Sequence, residues 1–407
     1  MNPAGATIRA RPWRLIAGLL VGLGAGLLLE GQAQALLGQV LRPIGSLWLD
    51  ALTMTVVPLV FGLLVVGVAS ASRSAAAGGT TMRALLFFAL MLLAACVTAA
   101  LLAQTLLELW PVRQGIMATG GAPVAGWSAD WYKGIIPANP IKAAAETAMV
   151  PLVIFALFLG FAIARIEVDL ADALLKPLRA LIEAMLVIVG WVLVLGPLGI
   201  GALAFGAGAT MGTGVLGTLG QYVVVVIACC LAATLLGYGW ATVAGRVSPL
   251  RFARAALPAQ AVALGTQSSL ATLPVMVQAA DRLGLPAQSS AITLPLAVSL
   301  FRAASAAANV AVAVYLAHLH GVPIGLGGAL LAALVAVPVS LGAVGLPAQI
   351  SFFATIAPVC LAVGVPVTAL PLLLAIEAVP DLFRTFGNVT NDIAVACVVG
   401  RRSAAEG

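Results

Sequence analysis

Residues 381–392 read Asp-Leu-Phe-Arg-Thr-Phe-Gly-Asn-Val-Thr-Asn-Asp and lie in an otherwise apolar stretch near the end of the chain. An isolated charge at membrane depth costs at least about 2.5 kcal/mol. The segment therefore predicts either a binding site for a small charged solute or an ion-pair network that holds helices together. On an ideal helix of 100° per residue, five polar side chains share an arc of about 80°, here named the charged stripe: Glu377, Asp381, Arg384, Asn388 and Asp392.

The chemistry of the charged stripe indicates which solute it binds. Arg384 carries a planar guanidinium whose donors match a carboxylate. Asp381, one turn earlier, can accept an ammonium group, and Asn388 can bind a second carboxylate through its amide. A zwitterion with one additional acid group, such as aspartate or glutamate, satisfies all three.

The composition places this stripe in a membrane protein. Of 407 residues, 62% are hydrophobic and 8% are charged, whereas soluble domains carry about 25% charged residues. Many apolar runs reach the roughly 20 residues that a helix needs to cross the bilayer. The sequence therefore predicts an all-α polytopic membrane protein with the lipid bilayer as its surroundings.

The net charge of +6 comes from scattered cations, which do not suggest a nucleic-acid partner. Their spacing between spans follows the positive-inside rule and predicts that both termini are cytoplasmic. The apolar stretch Leu15–Leu29 lacks a convincing cleavage site and is interpreted as a retained first helix. The cations that define this side are Arg9, Arg11, Arg14, Arg73, Arg83, Arg165, Lys176, Arg179, Arg246, Arg251, Arg254, Arg401 and Arg402.

Metal and catalytic sites are not predicted. The five cysteines lie in apolar runs without metal-ligand spacing and are interpreted as small buried hydrophobes. His318 and His320 could bind a metal or sense pH, but an interfacial loop role is favoured. No nucleophile–base pair is evident, so an enzyme and a cofactor are not expected.

The two halves of the chain have different patterns. Six helical spans are predicted first, at about 13–33, 44–70, 84–109, 134–165, 171–205 and 218–243, with an aromatic-rich loop at 110–133. From about residue 249, apolar segments interrupted by Gly and Pro alternate with the longer spans 287–319 and 367–399. Paired interruptions of this kind indicate a transporter site built from inverted repeats, although helices kinked by Pro and Gly are the alternative.

In the charged stripe and the interrupted segments, the sequence resembles the dicarboxylate/amino acid:cation symporter family, which includes the glutamate transporters. The family's last helix reads D-x-x-R-T-x-x-N-V-x-x-D, as residues 381–392 do. The serine-rich stretch 266–274 and Gly345-Leu346-Pro347 match the tips of its two hairpins. Residues 57–67 and 135–140 resemble its second helix and the start of its fourth.

The resemblance implies eight transmembrane helices, two re-entrant helical hairpins and a homotrimer working by an elevator mechanism in the bacterial inner (plasma) membrane. By motif position, Arg384 holds the substrate side-chain carboxylate, Asp381 its amino group and Asn388 its main-chain carboxylate. The remaining substrate-binding residues implied are Ser268, Ser269, Ser305, Leu346 and Thr385. The implied parts are scaffold helices 1–2 (1–83), helix 3 with the external loop (84–133), scaffold helices 4–5 (134–217) and the transport domain (218–407).

The sequence departs from the family at its sodium sites. Where relatives carry N-M-D-G-T on the seventh helix, this chain has Phe301, Arg302, Ala303, Ala304 and Ser305. Without the glycine, this segment has less reason to unwind. On the third helix, the oxygen-bearing family residues align with three apolar side chains: Phe88, Met91 and Leu92. Hard cations need oxygen ligands, so sodium is doubtful as the coupling ion.

Two hypotheses follow for coupling. Arg302 could pair with Asp392, a sodium ligand in relatives, and substitute for the cation, because an unpaired buried carboxylate is costly. Relatives have an arginine on the first hairpin where this chain has Gln267, so Glu377 is predicted to lack a cationic partner and is a candidate proton carrier. The alternative is a neutral hydrogen bond between Glu377 and Gln267. Pro380 is expected to kink the last span and free the carbonyl of Ile376.

The sequence therefore predicts a secondary transporter for an acidic amino acid. The presence of Asp381 favours this substrate over a dicarboxylate, because dicarboxylate carriers of the family lack the acid at this position. A C4-dicarboxylate carrier and a membrane receptor that binds the solute without transporting it remain alternatives.

Overall fold

The computed structural model describes residues 12–76, 79–112, 135–342 and 348–404. These residues form helices and connecting turns, without a strand among them. The helices are α1 (Pro12–Leu28), α2 (Gly31–Thr53), α3 (Val56–Ala76), α4 (Gly79–Leu109), α5 (Pro140–Ala145), α6 (Met149–Ile163), α7 (Val168–Val194), α8 (Gly196–Met211), α9 (Gly214–Val243), α10 (Pro249–Thr266), α11 (Ser269–Leu283), α12 (Ala287–Leu300), α13 (Ala303–His320), α14 (Gly325–Gly342), α15 (Ala348–Ala362), α16 (Leu370–Ile376) and α17 (Ala378–Ala404).

The predicted all-α multi-pass membrane class is confirmed. Among the described residues, six helical stretches are long and apolar enough to cross a membrane, and three shorter apolar helices accompany them. The expected count of eight transmembrane helices is not established by length and composition, and it stays a prediction.

Several predicted spans are each divided into two helices. The start predicted for the span 44–70 is wrong, because α2 already begins at Gly31. This span is divided at Met54–Thr55, between α2 and α3. The span 134–165 is divided at Glu146–Ala148, where Thr147 has a φ of 53°. The span 171–205 is divided between α7 and α8, just before Pro197, which cannot donate a backbone hydrogen bond within a helix.

The pair α1 and α8 packs through glycine. Gly18, Gly22 and Gly26 are spaced by four residues and lie on one side of α1. A Cβ at Gly22 would collide with the backbone of Gly201, and one at Gly18 with Pro197. Such small-residue spacing lets two membrane helices approach until their backbones touch. This is the glycine interface of the molecule.

Two helical hairpins occur where the sequence predicts interrupted segments. In the first, α10 and α11 pack against each other and turn at Gln267, which has left-handed φ/ψ of 51° and 32°. Ser268 then caps α11, its hydroxyl accepting from the amide of Ala271. In the second, α14 packs on α15. The tip residues 343–347, which include Leu346, lie outside the described part of the chain.

The C-terminal helix α17 is at the centre of the second half of the molecule. It packs on α9, α10, α12 and α13, while α13 also contacts α4 and α9. Side chains along nearly the whole of α13 are buried. Gly387 lets α17 approach α13 closely, because a Cβ there would lie 2.5 Å from the Cβ of Ala304. The polar residues of α17 from Arg384 to Asp392 are therefore enclosed by protein rather than lipid.

Candidate functional site

The charged stripe faces the protein interior. Arg384 is 5% exposed, Asn388 2% and Asp392 0%, and Glu377 is also buried. Asp381 is partly exposed at the start of α17. The helical arrangement that the sequence predicts for the stripe is thus present, and its members meet side chains from other helices.

The last span is interrupted at Glu377, between α16 and α17. Pro380 lies in the first turn of α17, where a missing backbone N–H costs little. The expected break near Pro380 therefore occurs as a junction of two helices. Glu377 lies at this junction, at the beginning of the charged stripe, and its side chain contacts Arg384.

Glu377 has two close partners. Its Oε1 lies 2.6 Å from Nε of Arg384, and the hydroxyl of Tyr222 on α9 donates to its Oε2 at 2.6 Å. The prediction that Glu377 lacks a cationic partner is therefore wrong. Gln267 is near but donates to the backbone carbonyl of Ala378 at 3.1 Å, so the alternative hydrogen bond between Gln267 and Glu377 is absent from the described structure as well.

Arg384 is also held from α13. Its Nη1 donates to Oδ1 of Asn309 at 2.8 Å and to the carbonyl of Ser305 at 3.3 Å. Its Nη2 is buried without a hydrogen-bond partner in the described structure. Nε also makes no hydrogen bond to a described residue, although Oε1 of Glu377 lies 2.6 Å from it. Nη2 is therefore available to an additional acceptor.

Asn388 and Ser305 satisfy each other. The Asn388 amide nitrogen donates to Oγ of Ser305 at 2.8 Å, and its Oδ1 accepts from the Ser305 backbone amide at 3.1 Å. This amide is the group to which the resemblance assigns the substrate main-chain carboxylate. In this structure it is engaged by the first turn of α13.

The remaining expected substrate residues lie on α17 and at the turn of the first hairpin. Asp381 makes no side-chain hydrogen bond or ion pair within the described ranges, so its carboxylate is available as an acceptor. Thr385 is buried beside Arg384 on α17. Ser268 and Ser269 are half-buried at the hairpin turn.

The positions that depart from the family's sodium sites lie together. The rings of Phe88 on α4 and Phe301 stack with centroids 4.9 Å apart and an interplanar angle of 10°. Met91 and Leu92 are buried on the same helix as Phe88, and Ala303 follows Phe301. Aromatic and aliphatic side chains offer no oxygen ligands, so these five side chains contribute no ligand for a sodium ion.

The chain leaves helical geometry at Phe301–Arg302, between α12 and α13, even though the family's glycine is Ala304 here. Phe301 has φ/ψ of −103° and 94°, and Arg302 has −116° and 62°. The expectation that this segment is less inclined to unwind is wrong. Both conformations have negative φ, which an L-residue adopts without glycine, and the buried Phe301 ring holds the segment against α4.

The expected ion pair between Arg302 and Asp392 is not formed. Arg302 Nη1 instead donates to Oγ of Ser351 on α15, at 3.1 Å. Both carboxylate oxygens of Asp392 are buried without a hydrogen-bond partner among the described residues. Arg302 immediately precedes α13, and its hydrogen bond to Ser351 directs its guanidinium toward the second hairpin instead of Asp392.

Three contact residues were not identified from the sequence: Tyr222, Asn309 and Ser351. Asn309 could have been found, because it is four residues after Ser305 in a run of alanines and therefore lies on the same helix face. Tyr222 and Ser351 belong to distant segments and carry no local signal. His318, at the end of α13, lies 3.2 Å from the amide oxygen of Gln104, and no cluster of three His, Cys, Asp or Glu side chains occurs in the described ranges.

Comparison with known proteins gives consistent results. The model of the sodium:dicarboxylate symporter family matches residues 12–402. The proton/sodium-glutamate symport protein of Bacillus caldotenax is 23% identical over 96% of this chain and 93% of its own length. The proton/glutamate-aspartate symporter of Escherichia coli K12 is 22% identical, with 96% and 92% covered. A C4-dicarboxylate transport protein of Deinococcus radiodurans is 26% identical, with 89% and 84% covered.

Proposed function

Because the chain belongs to the sodium:dicarboxylate symporter family, whose members are transporters, we propose that it is a secondary active transporter for aspartate or glutamate. The observation that carries this proposal is the pairing of two unlike groups on one helix. Arg384 offers a buried donor, Nη2, to a carboxylate, and Asp381 offers an unengaged carboxylate to an ammonium group one turn away. A dicarboxylate would meet repulsion at Asp381.

Uptake into proteoliposomes tests the substrate. We expect labelled aspartate uptake to be inhibited by unlabelled aspartate or glutamate and much less by succinate. Asp381→Asn removes the negative charge that repels a second carboxylate, so it should weaken aspartate and improve succinate as an inhibitor. The matched control is Asp172→Asn, an exposed acid that pairs with Arg73 on the surface.

Equal inhibition by succinate and aspartate in the unmodified protein would indicate a C4-dicarboxylate carrier instead. Binding of aspartate without counterflow across the vesicle membrane would indicate a receptor. Either result would contradict the proposed transporter of acidic amino acids.

We propose that sodium is not the coupling ion. The stacked rings of Phe88 and Phe301 and the nearby Ala303 support this, because these side chains supply no oxygen ligand. Aspartate uptake should be unchanged when choline replaces sodium outside the vesicles. A steep dependence on sodium would contradict this part of the proposal.

The proposed mechanism is an elevator movement in a homotrimer of the bacterial inner membrane, with both termini cytoplasmic. Two groups of helices support a moving part and a fixed part: α1, α2 and α8 pack together, and α4, α9, α13 and α17 form another packed group. Cross-linking in native membranes tests the trimer. A monomer as the largest cross-linked species would contradict it.

A further inference from the structure

The guanidinium of Arg384 already has internal acceptors at Nη1 and a carboxylate oxygen against Nε. A carboxylate binds arginine most strongly through two parallel hydrogen bonds, to the end edge (Nη1 and Nη2) or the side edge (Nε and Nη2). Asn309 and the Ser305 carbonyl accept from Nη1. Glu377 lies 2.6 Å from Nε. Nε and Nη2 make no hydrogen bond within the described ranges, but Oε1 of Glu377 lies against Nε, so an incoming carboxylate cannot use the side edge without displacing Glu377.

Of these internal partners, Glu377 is the one that an anion would replace. It brings a full negative charge to Arg384, whereas Asn309 and the Ser305 carbonyl bring dipoles. Two carboxylates on one buried arginine would leave an excess negative charge in a low-dielectric region, which is costly. Anion binding at Arg384 is therefore compatible with a neutral Glu377 and not with an ionised one.

We propose that Glu377 is an internal competitor for Arg384, so that binding of an anionic solute releases Glu377 from Arg384 and adds one proton to it. The inference rests on the proposed function, since it requires an anionic solute at Arg384. The step is balanced in charge. One solute carboxylate replaces one glutamate carboxylate at the guanidinium, and the displaced glutamate takes its proton from solution.

The surroundings of Glu377 allow both of its states. Tyr222 from α9 donates to Oε2 in the paired state, and a phenol can also accept a hydrogen bond from a protonated carboxyl group. The other titratable groups acting on this cluster are Asp381 and Arg384 from α17, and Cys230 from α9, which lies near Arg384. Gln267 on the first hairpin is neutral and donates to the Ala378 carbonyl, so it adds no charge that would hold Glu377 in one state.

The sign of the pH dependence follows from linkage. Because binding takes up a proton, solute affinity should rise as the pH falls. With one proton taken up per solute, affinity changes by at most about tenfold per pH unit. Glu377→Gln removes both the competitor and the proton site. Affinity at alkaline pH should then rise by about 5- to 150-fold, the usual range of coupling between two ligands, and become nearly independent of pH.

The experiment measures aspartate and succinate binding by calorimetry to purified full-length protein at acidic and alkaline pH. Three proteins are compared: the unmodified chain, Glu377→Gln and the control Glu146→Gln. Glu146 also pairs with a cation, Lys142 at 3.7 Å, but on an exposed surface. Repeating the titration in buffers of different ionisation enthalpy counts the protons taken up by the unmodified chain, so this count requires no variant to fold.

We expect about one proton taken up per anion by the unmodified chain and by Glu146→Gln, and close to none by Glu377→Gln. Anion binding without proton uptake, or the same pH dependence in Glu377→Gln as in the unmodified chain, would overturn the inference and leave the proposed function intact. Failure of the unmodified chain to bind any of these anions at either pH would overturn the proposed function and the inference together.

Discussion

The glycine interface between α1 and α8 and the polar interface between α13 and α17 hold helices together in different ways. In the first, Gly18, Gly22 and Gly26 bring backbone against backbone. In the second, α17 also approaches closely at Gly387, but the contact is dominated by hydrogen bonds from Arg384 and Asn388 to α13. The first interface has nothing to exchange with a solute, whereas the second is made of groups that a solute could use.

The two interfaces differ in how easily their contacts can be replaced. Backbone contact through glycine tolerates essentially one geometry, because any displacement creates overlap or a gap. Hydrogen bonds between buried side chains can be exchanged for bonds to a ligand at little net cost, provided that every polar group remains satisfied. A fixed support and an exchangeable site are thus built from different chemistry in one chain.

The largest effect on the polar interface is expected from Arg384→Gln. It leaves Glu377 buried opposite no cation, and breaking a buried pair from one side costs about 3–5 kcal/mol. The apparent melting temperature in detergent should fall strongly. The double variant Arg384→Gln/Glu377→Gln should recover much of that loss, because both charges are gone. If the double variant is no more stable than the single one, the ion pair is not the main interaction of Arg384.

The glycine interface should be disrupted by Gly22→Ala. The added methyl group meets the Gly201 backbone, and overpacking typically costs about 1–3 kcal/mol. The control is Gly24→Ala on the same helix, where a Cβ meets nothing within 4 Å. Melting curves should separate the two variants while aspartate affinity stays the same in both. Equal stability of the two variants would mean that α1 and α8 can separate freely.

The smallest effect is expected from Tyr222→Phe, which removes one buried hydrogen bond, worth about 0.5–1.5 kcal/mol. The comparison is with Tyr315→Phe, whose ring packs edge-on against Tyr222 but whose hydroxyl donates to the Thr218 carbonyl at 2.6 Å rather than to the charged stripe. Both should lower the melting temperature slightly. Only Tyr222→Phe should change aspartate affinity, because its hydroxyl holds Glu377 against Arg384. Identical binding curves for the two variants would remove Tyr222 from the site.

The sequence predicts those parts of the molecule that depend on local periodicity. The stripe on α17 follows from helical spacing, and the two hairpins follow from their Gly and Pro interruptions. The glycine interface was missed, although the spacing of Gly18, Gly22 and Gly26 is a recognisable signal. Side-chain partners could not be predicted, because they join residues far apart in the chain: Tyr222 reaches Glu377, and Arg302 turns to Ser351 rather than to Asp392.

The break at Phe301–Arg302 is a second feature that local sequence does not predict. Its sequence lost the glycine that favours unwinding, yet α12 still ends before α13 begins. Phe301 stacks on Phe88, which is far away in the chain, and the helix propensity of the local sequence does not take this contact into account. Tertiary packing therefore determines the backbone here, and a propensity argument alone gives the wrong result.

All five cysteines of the chain are buried and unpaired: Cys96, Cys229, Cys230, Cys360 and Cys397. Thiol reagents modify accessible thiolates and leave buried thiols largely unmodified. The natural chain therefore has a low background for fluorophore or spin labelling. One cysteine introduced at exposed Leu28 on α1 and another at exposed Leu235 on α9 could be labelled without first deleting the native thiols. The separation of the two probes would then report directly on motion between the glycine-packed helices and the helix group around α17.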